Sequence, residues 1–224
     1  WDDNLLKKAH KKQVITLNSG DIVEYLYRPF TKKWIWYDKQ IIQRTRNFDK
    51  IFAGPNEVLY TTGMGSNYFS TIYTTMMIDK GAMSSGQAFY VNKHSDSSLF
   101  QINNINNAVI EKLGLNSDEV IPYLYAVLNS SEYKEKYLNN LTKEVARIPR
   151  LKNKCKYVKV GKELMDLHLN YEEVPVFKGV SIESKSNPSY EVKKMKFAKI
   201  RNSETGKLEN DRSTVIFNTD ITIR

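Results

Sequence analysis

The stretch Pro122–Glu172 restricts the fold of this chain more than any other part of the sequence. Two helical patterns flank a short basic loop, and Ile148-Pro149 lies inside that loop. Proline fixes its own φ and biases the preceding residue towards extended geometry, so a helix cannot continue through this point. The sequence therefore predicts that the middle of the chain contains helices interrupted by an extended basic connection.

Runs of aromatic and β-branched residues, which are typical of strands, lie on both sides of this helical section. Before it they cover Ile22–Tyr27, Trp34–Tyr37, Val58–Thr62, Tyr68–Ile78 and Gln87–Val91, and after it Phe177–Ile182, Tyr190–Ile200 and Ser213–Ile223. The predicted helices are Asn104–Leu113, Ser117–Leu128, Glu132–Leu141 and Val160–Leu169. This order of elements indicates an α+β fold, with a mixed, largely antiparallel sheet system and a central helical section.

The chain is predicted to contain one domain preceded by a short connection. Residues 1–20 begin with a polar, basic segment and are interpreted as a linker, or as the tail of a helix from an upstream domain. Residues 21–224 are predicted to form the domain itself. Its last residues, Asp220–Arg224, still follow a strand-like pattern, so we expect the domain to be truncated at its C-terminus.

Charge and cysteine content restrict the partners and the compartment. The 224 residues include 34 Lys and Arg against 25 Asp and Glu, a formal net charge of +9. Such a surplus favours polyanions such as nucleic acid, although a solvated basic surface gives the same composition. The single cysteine, Cys155, excludes an internal disulfide and fits a reducing cytoplasm. Because no apolar run approaches the roughly 20 residues of a membrane span, no membrane partner is predicted.

The first candidate site is the segment 28–46, where basic and amide side chains alternate with aromatic ones. Arg can bond guanine, and Gln can bond adenine, through two hydrogen bonds in the major groove, whereas Lys suits phosphate. The predicted DNA-binding residues here are Arg28, Lys32, Lys33, Gln40, Gln43, Arg44 and Arg46. The alternative is a solvated hairpin with its aromatic side chains in the core, and we expect core positions for Trp34 and Trp36.

The second candidate site is the densest positive run of the chain, Lys143–Lys162, where eight cations stand against one acid, Glu144. A loop with this charge favours phosphate contacts, which give affinity without reading the base sequence. The predicted contacts are Arg147, Arg150, Lys152 and Lys154. A loop whose charges are only solvated is an equal alternative.

Three features invite a catalytic or cofactor interpretation, and each is interpreted otherwise. The loop Gly63–Asn67 lacks the three spaced glycines of a dinucleotide-binding loop, so we expect a strand connection in which Ser66 and Asn67 approach DNA. Asn187-Pro-Ser-Tyr190 is similar to the Asn-Pro-Pro-Tyr motif of amino-methyltransferases, but it follows a polar segment and predicts a turn. His168 has no evident nucleophile partner and is expected in the core or an interface. No catalytic residue, metal site or cofactor is predicted for this chain.

A series of short motifs also runs through the chain in a defined order. They are Tyr27-Arg-Pro-Phe30, Trp36-Tyr-Asp38, Asn56-Glu-Val-Leu59, Gly86-Gln-Ala-Phe89, the helical Tyr125–Tyr133, Arg147-Ile-Pro149, Gly161–Leu169, Lys194-Met-Lys-Phe197 and Asp211-Arg-Ser-Thr214. Their order resembles the C-terminal specificity region of type ISP restriction-modification enzymes, which have relatives among fused type IIG enzymes. The resemblance departs after Phe89, where the family continues with a Pro-Leu-Tyr-like run and this chain has Tyr90-Val-Asn-Lys93.

The resemblance implies a target recognition domain of a bacterial, cytoplasmic defence enzyme. Such a domain binds a short asymmetric site in double-stranded DNA, positions an upstream adenine methyltransferase and governs ATP-dependent restriction. The resemblance further implies methyltransferase and motor domains on the same polypeptide, with S-adenosylmethionine, ATP and Mg as cofactors of that parent enzyme. Base-reading residues vary between such domains, so the resemblance assigns none.

The chain itself is expected to be non-catalytic, and two alternatives stay open. One is a protein–protein scaffold within the same assembly. The other is a domain with its own methyltransferase or nuclease activity.

Overall fold

The computed structural model describes residues 3–38, 40–42, 51–52, 54–84, 86–94 and 101–224. It divides the chain into two compact units, Trp1–Glu172 and Glu173–Arg224. Helices and mostly antiparallel sheets confirm the predicted α+β fold. The predicted division at residue 20 stays a prediction. None of the described helices combines the length and the apolar character that a membrane span requires.

The elements of the first unit follow one another as strands and then helices. In chain order they are α1 (Asp3–His10), β1 (Ile22–Arg28), β2 (Thr31–Trp36), β3 (Val58–Thr61), β4 (Thr71–Thr74), β5 (Met77–Ile78), β6 (Gln87–Tyr90), β7 (Asn92–His94), β8 (Gln101–Asn103), α2 (Asn107–Leu113), α3 (Ser117–Asn129), α4 (Ser131–Lys136), α5 (Leu138–Leu141) and α6 (Lys154–Leu169). The second unit contains β9 (Ile182–Ser184), β10 (Lys196–Arg201), β11 (Leu208–Ile216) and β12 (Ile221–Ile223).

Neighbouring strands in the sheets run antiparallel with one exception. The described strands of the first unit form the sheets β2-β1-β5 and β4-β3-β6 and the pair β7-β8. Strands β1 and β5 pair in parallel, through Tyr25 with Met77 and Leu26 with Ile78. In the second unit the order is β10-β11-β12-β9, with antiparallel pairing throughout.

Strand β3 is buried on both faces and separates two hydrophobic clusters. Successive side chains of a strand point to opposite faces, so Leu59 enters one cluster while Val58 and Tyr60 enter the other. The larger cluster joins this sheet to the helices through residues such as Tyr73 of β4 and Tyr125 of α3. The helical section is therefore anchored on the sheet and is not an appended lobe.

Helices α3 and α6 pack closely, and the structure corrects two predicted helix boundaries in this section. A Cβ atom on Gly161 of α6 would lie 1.9 Å from the carbonyl oxygen of Pro122 in α3, so only glycine permits the approach. Helix α6 begins at Lys154 and not at Val160, because packing of its first turns outweighs their polar sequence. The predicted helix Glu132–Leu141 is divided into α4 and α5 at Tyr137.

Candidate nucleic-acid interface

Two cations of the β1–β2 hairpin converge on one aromatic ring. The Cζ atom of Arg28 lies 4.0 Å from the centroid of the Tyr27 ring, and Nζ of Lys33 lies 3.9 Å from the same centroid. Arg28 also forms an ion pair with Asp79 at 3.5 Å, with both side chains partly exposed. Cation–π contacts fix the position of a charge without neutralising it, so the hairpin presents a preorganised positive surface.

Lys32, on the same hairpin, has a different role because its charge is already paired. Its Nζ donates to Oε2 of Glu172 at 2.6 Å and lies 5.3 Å from the centroid of the Tyr171 ring. The hydrogen bond to Glu172 raises the pKa of Lys32, and the same bond lowers the pKa of Glu172. Lys32 therefore connects the hairpin to the residues that follow α6.

The hairpin turn is also held by aromatic contacts around His168. The Phe30 ring packs edge-on against His168 and Tyr171, with centroid distances of 5.1 and 5.2 Å. Nδ1 of His168 shares a hydrogen bond with the hydroxyl of Tyr125. Burial lowers the pKa of His168, which favours the neutral imidazole. The sequence predicts a histidine in the core or an interface, and His168 is half-buried.

The two tryptophans of β2 do not share one environment. Trp36 is half-buried, whereas Trp34 is 70% exposed. The prediction of a core position for Trp34 is wrong. Trp34 and Trp36 lie on the same face of β2, so burial on this face changes along the strand.

The remaining candidates of segment 28–46 lie at or beyond the end of the described hairpin. Gln40 is exposed, and both its backbone nitrogen and its Nε2 donate to the carboxylate of Asp38, at 2.6 and 3.1 Å. Gln43, Arg44 and Arg46 lie outside the described residues, so their roles stay predictions.

The basic segment that precedes α6 is held in place by buried tyrosine hydroxyls. The Tyr133 hydroxyl donates to the carbonyl of Arg147 at 2.8 Å. The Tyr123 hydroxyl donates to the carbonyl of Pro149 at 2.6 Å and accepts from the backbone nitrogen of Leu151 at 3.1 Å. These bonds satisfy the backbone of an irregular segment and fix its path. Tyr123 and Tyr133 were not predicted as site residues, although they lie in a tyrosine-rich stretch of the sequence.

The cations of this segment differ in their exposure and in their ion-pair and hydrogen-bond partners. Arg147 is 88% exposed on its side chain and pairs with Glu144 at 2.9 Å, a contact that contributes little at a surface. Arg150 and Lys152 are exposed and form no ion pair with another described residue. Lys154 donates to the carbonyls of Leu113 and Gly114, at the C-terminal end of α2 where a cation is favourable.

The predicted loop Lys143–Lys162 is partly helical. From Lys154 onward its residues belong to α6, where Lys156 and Lys159 are exposed one turn apart. Arg150, Lys152, Lys156 and Lys159 are the exposed cations of residues 150–159, and we call this set the α6 basic surface.

The glycine-containing loop lies beside the start of the basic segment. The backbone nitrogen of Gly65 donates to the carbonyl of Thr142 at 2.7 Å, and Gly65 has a positive φ of 84°. Oγ of Ser66 bonds to the carbonyl and hydroxyl oxygens of Ser84, at 3.3 and 3.2 Å, while Asn67 is exposed. The structure therefore brings this loop to residue 142, one position before the basic run.

The segment similar to a methyltransferase motif is an exposed connection. Nδ2 of Asn218 donates to the carbonyls of Ser189 and Glu191, at 2.5 and 3.2 Å, and the Asp220 carboxylate accepts from the nitrogen of Ser189 at 3.1 Å. The Tyr190 side chain is 78% exposed. No group of three or more His, Cys, Asp or Glu side chains that could hold a metal occurs among the described residues.

Comparison with known proteins identifies one family. The family model described as "Type ISP C-terminal specificity domain" matches residues 1–224. No curated protein matches the chain.

Solved structures resemble the whole chain. One is a nuclease-deletion mutant of the Type ISP restriction-modification enzyme LlaGI in complex with a DNA substrate mimic (31% identity, TM-score 0.76). The match covers 100% of this chain and 20% of the LlaGI chain. Another is the ATP-dependent Type ISP restriction-modification enzyme LlaBIII bound to DNA (28% identity, TM-score 0.80). This match covers 100% of this chain and 15% of the LlaBIII chain. A DrdV–DNA complex (21% identity, TM-score 0.81) matches over 99% of this chain and 23% of its own and shares the fold. The chain thus spans about a fifth of these proteins.

Proposed function

Because this chain belongs to the family of Type ISP C-terminal specificity domains, we propose that it recognises a short site in double-stranded DNA for a restriction-modification enzyme. The observation that carries this proposal is the family match over all 224 residues. Two relatives above 25% identity, LlaGI and LlaBIII, have been solved with a DNA substrate mimic and with DNA.

The distribution of charge in the first unit supports a contact with the DNA backbone. The α6 basic surface is exposed, its cations have no acidic partner among the described residues, and the segment before it is fixed by Tyr123 and Tyr133. Preorganised cations neutralise phosphates without first losing side-chain pairs, and they give affinity that depends steeply on salt. Arg28 and Lys33 on the hairpin provide a second set of charges that is not fully neutralised.

The rest of the polypeptide would carry out the chemistry. In this proposal an upstream adenine methyltransferase and an ATP-driven motor act when the chain has located the site. S-adenosylmethionine, ATP and Mg would bind those parts, and this chain would set where they act.

Selection from a random duplex library tests the proposal. The full polypeptide would be incubated with the library at two salt concentrations, and the bound duplexes sequenced. We expect one short asymmetric motif to be enriched, with lower recovery at the higher salt. Salt-sensitive binding without any enriched motif would contradict target recognition and favour a scaffold with a generic positive surface.

Charge-neutral substitutions on the α6 basic surface separate affinity from specificity. The double variant Arg150→Gln/Lys152→Gln is expected to weaken binding to all sequences and to reduce the dependence of affinity on salt. The matched control is Lys178→Gln/Lys193→Gln, which removes the same charge from exposed positions of the second unit. If both double variants bound DNA with the same affinity as the unaltered polypeptide, the α6 basic surface would not be part of the DNA interface.

A further inference from the structure

The second unit contains an exposed two-stranded ribbon for which no site residue is predicted from the sequence. Strands β10 and β11 pair from Lys196 to Arg201 on one side and from Leu208 to Ile216 on the other. Towards the turn, from Ala198 to Arg201 and from Leu208 to Asp211, no residue is buried, so the ribbon projects with both faces accessible.

The register of this ribbon places basic and acidic side chains on opposite faces. Directly opposed residues of an antiparallel pair lie on the same face, and faces alternate along each strand. Lys199 opposes Asn210, and Arg201 opposes Leu208, so these four side chains share one face. We call it the basic ribbon face.

The opposite face of the ribbon is acidic. Ile200 opposes Glu209, and Ala198 opposes Asp211, which places both carboxylates together. Oε1 of Glu209 accepts from Nδ2 of Asn202 at 3.0 Å. Hydrogen bonds from Ser213 lower the pKa of Asp211, so this carboxyl is ionised. A polyanion would be attracted to the basic face and repelled by the acidic one.

The turn of the ribbon is fixed by its own hydrogen bonds. Oδ1 of Asn202 accepts from the backbone nitrogens of Glu204 and Thr205, at 2.9 and 3.0 Å. The nitrogen of Asn202 donates to the carbonyl of Lys207 at 2.9 Å, and Gly206 adopts a positive φ of 64° that favours glycine. Arg201 donates to the carbonyl of Gly206 at 3.2 Å. The ribbon is therefore preorganised, which reduces the entropy lost on binding.

The dimensions and side chains of the basic ribbon face suit the major groove of DNA. That groove is about 12 Å wide and admits a two-stranded ribbon, and six residues of strand extend about 20 Å. Arg can bond guanine, Asn can bond adenine, and an apolar side chain such as Leu208 can contact the thymine methyl group. Lys199 donates to Oδ1 of Asn210 at 2.7 Å, while Nδ2 of Asn210 has no acceptor among the described residues.

We propose that the β10–β11 ribbon enters the major groove with the basic ribbon face towards the bases, and that Arg201 and Asn210 determine part of the recognised sequence. This inference rests on the proposed function and assigns base reading to the second unit, with the α6 basic surface holding phosphates.

The test uses the full polypeptide and the random duplex selection. Arg201→Ala and Asn210→Ala are compared with Lys207→Ala, which removes a positive charge next to the ribbon turn, at a position outside the basic ribbon face. We expect each of the first two variants to lose the preference at a different base pair of the motif, by roughly 5- to 150-fold. Lys207→Ala is expected to keep the complete motif.

The outcomes separate this inference from the proposed function. If the unaltered polypeptide enriches a motif and both ribbon variants enrich the same complete motif, base reading by the ribbon is wrong and DNA recognition stands. If the two ribbon variants lost affinity equally for all sequences, the ribbon would contact only phosphates. This result would also overturn the inference. If the unaltered polypeptide enriches no motif, the proposed function fails and the inference fails with it.

Discussion

His168 illustrates how burial decides the role of a single side chain. It lies between Phe30 and Tyr125, where hydrogen bonding and ring packing replace water. Burial also raises the pKa of the Tyr125 hydroxyl to about 12, so this group stays a neutral donor. The half-buried imidazole, with its phenol partner, stabilises the contact between the hairpin and α6.

The lowered pKa of His168 predicts a pH dependence of stability. Below the ordinary value of 6.5 the unfolded chain binds a proton that the folded chain does not yet bind, so the free energy of unfolding falls as the pH decreases. The fall ends below the folded-state pKa, where both states are protonated. Urea unfolding at pH 7.5 and 5.5 should show a smaller pH difference for His168→Gln than for the natural chain. An identical difference in both would contradict this assignment.

At the scale of elements, the basic segment before α6 depends on uncharged residues for its path. Tyr123→Phe removes the hydroxyl that bonds both Pro149 and Leu151 and leaves a backbone N–H without its partner. We expect the free energy of unfolding to fall by about 1–3 kcal/mol. DNA affinity should also fall, although no charge changes, because Arg150 and Lys152 lose their fixed position.

The control for this prediction is Tyr190→Phe, whose ring is largely exposed. It should leave both stability and affinity unchanged. If Tyr123→Phe lowered stability and left DNA affinity untouched, the segment would not require preorganisation.

The crossing of α3 and α6 depends on Gly161. An alanine Cβ would overlap the backbone of Pro122, so Gly161→Ala should destabilise the chain by about 1–3 kcal/mol, despite the roughly 1 kcal/mol by which alanine favours a helix. Thermal unfolding of this variant and of Glu163→Ala, an exposed position two residues away, provides the comparison. A rise in melting temperature for Gly161→Ala would show that the helices can separate without cost.

Local sequence patterns predicted the bounds of helices and strands well where most residues of the element are buried and apolar. Strand β3, whose four residues are all buried, and helix α3, most of which is buried, were predicted to within a residue. The start of α6 was missed, since Lys154–Lys159 offers mainly Tyr157 and Val158 as apolar residues and its stability comes from packing on α3. Trp34 is exposed and Trp36 is half-buried on the same face of β2, and the local sequence pattern does not distinguish them.

For the site, the sequence shows which residues are cations, but it does not show which of them have a partner in the folded chain. Lys32 and Lys154 are as basic in sequence as Arg150 and Lys152, yet their charges are used by Glu172 and by the end of α2. The basic ribbon face was not predicted because it depends on the register of β10 against β11, across a turn and a bulge. Such pairings are properties of the folded chain.

At the scale of the whole molecule, the central claim is that this chain determines which DNA sequence is recognised. Exchange of residues 1–224 for the matching domain of LlaGI, in the full polypeptide, tests it most directly. Random duplex selection would then be performed with the natural polypeptide, the exchanged polypeptide and LlaGI. We predict that the exchanged polypeptide enriches the motif of LlaGI. Enrichment of the motif of the natural polypeptide would contradict the account, because base recognition would then lie outside this chain.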